Sequence, residues 1–133
     1  MPSNTIDITG LRLLVIDDDD EISGICVLAL GSAGALASVA QNAETACREL
    51  SATEFDVVVT DLVMPGLTGR KFLDWLAEAH PGTPVVAMSG VPDQVRAAAS
   101  RANVRATLDK PFTVTALIEA VSAAAHANSA DDA

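Results

Sequence analysis

Short strand-like runs that end abruptly recur along this chain. They lie at Leu11–Ile16, Leu36–Ala40, Phe55–Thr60, Pro84–Met88 and Arg105–Leu108. Each is too short for a helix core. Leu13–Ile16 and Val57–Val59 are continuous apolar stretches rich in β-formers, the mark of strands buried on both faces. Between the runs the apolar period lengthens to that of a helix. The first helix is expected from Asp20 to Gly31 or Ser32, with acids in its opening turn, where the dipole favours them, and glycine at its end. Its expected buried stripe is Ile22, Ile25, Cys26 and Ala29. Val27 and Leu28 extend the apolar surface sideways, and Val27, with Ser23 and Gly24, is expected to form part of a partner surface. Asn42 can cap a second helix reaching Leu50, with Ala43, Ala46, Cys47 and Leu50 as its stripe. A loop over 62–69 is punctuated by Pro65, Gly66 and Gly69. A third helix over Arg70–Ala79 turns Phe72, Leu73 and Leu76 inward and stops at Pro81 and Gly82. The remaining helices are expected over Pro92–Ala102 and Val114–Ala125, the last with Leu117, Ile118 and Val121 on one face.

Five alternating strand–helix pairs with buried strands imply an α/β, doubly wound, five-stranded parallel sheet with helices on both faces and right-handed crossovers. The domain is expected over residues 11–126, after a polar lead-in at 1–10 and before a flexible tail at 127–133. One stretch tests this reading. Ile22–Ala40 carries no charged residue and is nearly long enough to span a bilayer. The glycines at 24, 31 and 34 and the serines at 23, 32 and 38 dilute it, so a helix followed by a short strand is expected.

Composition narrows the function classes. A chain of 133 residues, half of them hydrophobic, suits one domain with a core of its own. A formal charge of −10 disfavours nucleic acid and anionic membrane surfaces as partners, and is compatible with a divalent cation. Cys26 and Cys47 match no metal or redox spacing, and fall on helices expected on opposite faces of the sheet. They read as reduced, core-filling thiols. Met1-Pro2-Ser3-Asn4 carries no basic, apolar leader, and the expected location is cytoplasmic.

The candidate chemistry sits where the strands stop. Strand one ends in five consecutive acids, Asp17 to Glu21, strand three in Asp61, strand four in Ser89, and strand five is followed by Lys110. In a parallel sheet all carboxyl ends share one edge, and open α/β sheets bind ligands there. Asp17, Asp18, Asp61, Ser89 and Lys110 therefore converge although they are scattered in sequence. Hard carboxylate oxygens suit Mg²⁺, which would let the acids remain ionised together. Asp61 is then a candidate nucleophile toward a phosphoryl group, with Lys110 and the cation supplying positive charge and the Ser89 hydroxyl a hydrogen bond. Asp19, Asp20 and Glu21 read as helix-start charges rather than ligands, and His80 and His126 as helix-end residues. Met64 and Met88 read as packing groups, and Trp75 as a residue at the edge of the core.

Four motifs carry a resemblance. They are Leu13-Leu14-Val15-Ile16-Asp17-Asp18, the run from Val57-Val58-Val59-Thr60-Asp61 through Gly69, Val85-Val86-Ala87-Met88-Ser89-Gly90, and Lys110-Pro111-Phe112. In this order and separation they resemble the receiver domain of two-component response regulators over residues 11–126. The resemblance implies a flavodoxin-like three-layer sandwich of strand order 2-1-3-4-5. It implies that Asp61 accepts phosphate from a histidine kinase or phosphotransfer protein and so switches binding to a downstream protein that the sequence does not identify. It assigns the metal to Asp18, Asp61 and the Val63 carbonyl, with Asp17 acting through metal-bound water. It makes Ser89 the switch hydroxyl beside a small Gly90, Lys110 the phosphoryl contact, and the Lys110–Pro111 bond cis. Only self-catalysed transfer and dephosphorylation are then expected, not turnover of a substrate. The chain departs from the pattern at Thr107, where receivers often carry an aromatic residue that follows the switch hydroxyl inward.

Two other readings stay open on the sequence. One is an aspartate-nucleophile phosphatase or dehalogenase using Asp17, to which Asp17-Asp18-Asp19 lends an Asp-x-Asp pattern; it gives Asp61 no role. The other is an interaction module that keeps the fold without the chemistry. A dinucleotide site is excluded, because no Gly-x-Gly-x-x-Gly turn follows strand one.

Overall fold

The structure, a computed structural model, describes residues 6–63 and 69–132, with Gly69 and residues 127–132 described by backbone only. Five strands, β1 (Arg12–Ile16), β2 (Leu36–Ala40), β3 (Val57–Asp61), β4 (Val85–Ser89) and β5 (Val104–Asp109), alternate with five helices. These are α1 (Asp20–Ser32), α2 (Ala43–Ala52), α3 (Gly69–Ala79), α4 (Pro92–Ala99) and α5 (Val114–Asp132). The sheet is parallel throughout, in the expected order β2-β1-β3-β4-β5.

Alternation along the strands builds two cores. Leu13 and Val15 of β1 and Val57 and Val59 of β3 pack with Cys26 and Leu30 of α1 and Leu117 and Val121 of α5. Leu14, Ile16 and Val58 point the other way, onto Ala46 and Leu50 of α2 and Phe72, Leu73 and Leu76 of α3. The two cysteines lie on opposite faces, as expected, and both are free thiols. Trp75 packs at the margin of its core, stacked on Phe72 at 6.0 Å between ring centroids. Met88 is fully buried, whereas Met64 lies outside the described residues.

The uncharged stretch 22–40 is a helix and a strand. Among the described residues no helix is long and apolar enough to cross a membrane. The inward face of α1 keeps Ile22, Cys26 and Ala29 of the expected stripe and differs at Ile25. Ser23, Cys26 and Leu30 are buried, while Ile25 is 45% and Leu28 74% exposed. Ser23 tolerates burial because its hydroxyl donates to the Asp20 carbonyl. The surplus apolar surface therefore lies at Leu28, as expected, and at Ile25, which was expected inside, while Val27 is half-buried. With Val114 and Ile118 of α5, Ile25 and Leu28 line an apolar groove. α4 stops at Ala99, earlier than the expected Ala102, and α5 runs past the expected Ala125 to Asp132.

Two faces of the sheet make the fold depend on Phe72 and leave Leu28 dispensable for stability. Truncating a buried aromatic side chain costs about 3–5 kcal/mol. Phe72→Ala should lower the urea unfolding free energy by that amount, and Leu28→Ala should leave it within about 0.5 kcal/mol.

Candidate functional site

The sheet order reverses direction between β1 and β3, and the carboxyl ends of those strands flank the crevice in which open α/β sheets bind ligands. Asp17 follows β1 directly and Asp61 is the last residue of β3. One ligand oxygen from each of Asp17, Asp18 and Asp61 can be chosen so that all three lie within 4.8 Å of one another. Asp17 is fully buried, Asp61 is 5% exposed, and Asp18 faces solvent.

Lys110, just beyond β5, holds this cluster together. Its Nζ donates to Asp17 Oδ2 at 2.9 Å and to Asp61 Oδ2 at 3.1 Å. The other oxygen of each carboxylate is held by backbone. Asp17 Oδ1 accepts from the Asp19 N–H at 3.0 Å, and Asp61 Oδ1 from the Val63 N–H at 3.1 Å. Both buried carboxylates are thus aimed before any ligand arrives. The Lys110 backbone is itself anchored, its N–H donating to the Ser89 carbonyl at 3.0 Å, and the Lys110–Pro111 bond is cis as expected.

The acids beyond the pair start the helix. The Asp19 side chain caps α1, accepting from the N–H groups of Glu21 and Ile22, and Asp20 and Glu21 lie in the first turn.

The charges do not balance. Three carboxylates face one ammonium, so the cup carries two negative charges in excess. Burial raises the Asp61 pKa, and the nearby Asp17 charge raises it further. The Val63 N–H and Lys110 pull the other way without cancelling the rise. Burial also works against the Lys110 charge, but the hydrogen bonds and charges of Asp17 and Asp61 outweigh it and hold its pKa above the ordinary value. Cys26, beneath the site, is a different case. Burial, reinforced by Asp17, pushes its thiol up to about 11, so it is neither ligand nor nucleophile at neutral pH.

The donor set fits magnesium. It is all oxygen, and a cation with ligands at about 2.1 Å needs its ligand oxygens no more than about 4.2 Å apart, a small closure of the cluster present. Each carboxylate oxygen that already accepts one hydrogen bond keeps a lone pair for the metal. Val63 is tied to the cluster through its N–H, and its carbonyl is the ligand that the resemblance assigns.

Ser89 is not joined to the acids. It is buried, its hydroxyl donates to Gln94 Oε1 at 3.0 Å, and its Oγ accepts from the Val91 N–H at 3.0 Å. Gln94, in the first turn of α4, went unnoticed in the sequence because no motif marks it. A Cβ on Gly90 would lie 3.8 Å from the Lys110 carbonyl, ordinary van der Waals contact, so packing alone does not demand glycine there. Thr107 sits half-buried in β5 beside Ala87.

The raised Asp61 pKa has a consequence for stability. The folded protein keeps that proton to higher pH than the unfolded chain does, so ionising Asp61 costs stability as pH rises through its raised pKa. Asp61→Asn should therefore melt higher than the parent at neutral pH without divalent cation. The expected outcome is a rise in the melting midpoint, its sign set by the raised Asp61 pKa. The gap should narrow on acidification and on adding Mg²⁺, as read by calorimetry.

Comparison with known proteins bears on the same residues. The family model for the response regulator receiver domain matches residues 13–122. The DNA-binding transcriptional regulator NtrC of Rhizobium meliloti is 38% identical over 111 residues, 83% of this chain and 23% of the relative. The nitrogen assimilation regulatory protein NtrX of Azorhizobium caulinodans is 30% identical over 109 residues, 80% of this chain and 24% of the relative. The chain thus spans about a quarter of the length of these curated relatives. Among solved structures, a receiver domain protein from Clostridium thermocellum superposes with a TM-score of 0.81 at 26% identity, covering 90% of this chain and 98% of the other. NtrX of Brucella abortus superposes with a TM-score of 0.86 at 25% identity, covering 93% of this chain and 28% of the other. With its sheet order, its acidic crevice and a matched span that covers most of its length, this chain belongs to the response regulator receiver domain family.

Proposed function

We propose that Asp61 is the phosphoacceptor of this receiver and that Asp17, Asp18, Ser89 and Lys110 serve the transfer. The observation that carries the reading is the pair of hydrogen bonds from Lys110 Nζ to Asp17 and Asp61 within the acidic crevice. An Asp61 oxygen attacks the phosphorus of a phosphohistidine on a histidine kinase or phosphotransfer protein. The P–O bond forms as the P–N bond breaks, and the imidazole leaves with the electron pair and is protonated. Lys110 stays beside Asp61 and donates to the incoming phosphoryl oxygens. Asp18, Asp61 and the Val63 carbonyl would hold Mg²⁺, with Asp17 reaching it through water. The cation supplies positive charge against the phosphoryl group.

The rival reading, with Asp17 as nucleophile, is disfavoured by burial. The oxygens of both carboxylates are engaged alike, but Asp17 is fully enclosed whereas Asp61 keeps a small opening to solvent. The reading as a module without chemistry leaves the aimed, self-repelling acids without a purpose. We take the role as signalling rather than turnover of a substrate, in the cytoplasm, with a protein as the downstream target. The net charge of −10 disfavours direct contact with nucleic acid by this domain.

Acetyl phosphate with Mg²⁺ should place one phosphoryl adduct on the peptide carrying Asp61, located by mass spectrometry, and Asp61→Asn or omission of Mg²⁺ should abolish it. An adduct on Asp17 instead would favour the hydrolase, and no adduct at all would favour the inert module. The exposed apolar groove between α1 and α5 is the surface we assign to the protein phosphodonor. Leu28→Lys should slow transfer from a kinase about tenfold, while the rate with acetyl phosphate stays unchanged.

A further inference from the structure

A serine hydroxyl carries one proton, and here that proton is in use. Ser89 donates it to Gln94 Oε1 at 3.0 Å while its oxygen accepts from the Val91 N–H. It can donate to Gln94 or to a phosphoryl oxygen on Asp61, and not to both. A hydrogen bond to a charged oxygen is about twice as strong as one to a neutral amide, so a phosphoryl group takes the proton if it comes within reach.

The Ser89–Gln94 bond joins the end of β4 to the first turn of α4, a short helix that begins at Pro92. Its N-cap is Val91, which supplies no side-chain hydrogen bond. The N–H groups of Gln94 and Val95 both rest on the Val91 carbonyl, and the Val91 N–H rests on Ser89 Oγ. The opening turn of α4 is therefore hung from Ser89 by two bonds, one through the Val91 backbone and one through the Gln94 side chain. The side chain bonded to the Ser89 hydroxyl is Gln94, on α4. Gln94 also lines a cavity of about 560 Å³ with Leu62, Leu73, Ala98, Arg70 and Arg101, on the side of the sheet where α3 and α4 pack.

We propose that Gln94 is a positioning residue: it latches the Ser89 hydroxyl away from Asp61 in the unphosphorylated protein and is released, with the first turn of α4, when a phosphoryl group draws that hydroxyl over. The inference rests on Asp61 being the phosphoacceptor. It adds that the signal leaves the site through a glutamine on α4, and that the Gln94 side of the cavity between α3 and α4 is what changes.

The test is hydrogen exchange of the full chain, with beryllofluoride and Mg²⁺ as the phosphoryl analogue. In the parent, the analogue should speed exchange at the Val91, Gln94 and Val95 amides. Gln94→Ala should show the faster exchange without the analogue, and should bind beryllofluoride about three- to tenfold more tightly, the factor that one neutral hydrogen bond represents. Alanine is the better helix former, so a change in helix propensity alone would slow exchange. In a Ser89→Ala background, adding Gln94→Ala should change nothing further. Equal exchange in the parent and Gln94→Ala without the analogue, or an additive effect in the Ser89→Ala background, would overturn the latch. Failure of beryllofluoride to bind the parent would instead remove the phosphoacceptor reading, while the exchange comparison without analogue would still decide whether Gln94 restrains α4.

Discussion

One ammonium between two buried carboxylates organises this molecule's functional end. Lys110 reaches Asp17 and Asp61 from positions 93 and 49 residues away in the chain. The contact requires three strands to end at one level on one edge, which the parallel pairing of β1 with β3, β3 with β4 and β4 with β5 provides. Without Lys110, two buried carboxylates would be left with backbone N–H groups alone to offset their repulsion, an arrangement that costs several kcal/mol. With it, the cup still carries more acidic than basic groups, and that imbalance is what the proposed cation and phosphoryl group would offset.

The same imbalance links stability to chemistry. Burial and the Asp17 charge hold the Asp61 pKa up, so ionising this residue costs the folded protein stability. The backbone donors at Asp19 and Val63 keep the two buried carboxylates aimed, so binding needs little reorganisation.

Much of this was legible in the sequence, for a definable reason. Buried parallel strands announce themselves as unbroken apolar runs, and the residue that breaks each run lies at the functional edge. Asp17, Asp61, Ser89 and the neighbouring Asp18 and Lys110 could be located by that rule alone. The rest depends on facts that periodicity does not carry. α1 is apolar almost all round, so its pattern does not say which stripe turns inward. Ser23 took a buried place that Ile25 was expected to fill, because a serine bonded to its own helix backbone is tolerated inside. Gln94 has no signature, since its role comes from the tightness of the turn between β4 and α4. The ends of α4 and α5 were misplaced where alanine-rich sequence continues past the last apolar anchor, and alanine suits a helix with or without one.

The claim on which the rest depends is that the crevice between β1 and β3 is a built cation site. Crystals grown with Mn²⁺ in place of Mg²⁺, measured at the manganese edge, test it most directly. The account predicts one anomalous peak within coordination distance of the Asp18 and Asp61 carboxylates and the Val63 carbonyl, with Lys110 still bonded to Asp61. No peak there, or one held only by the exposed acids of α1, would contradict it.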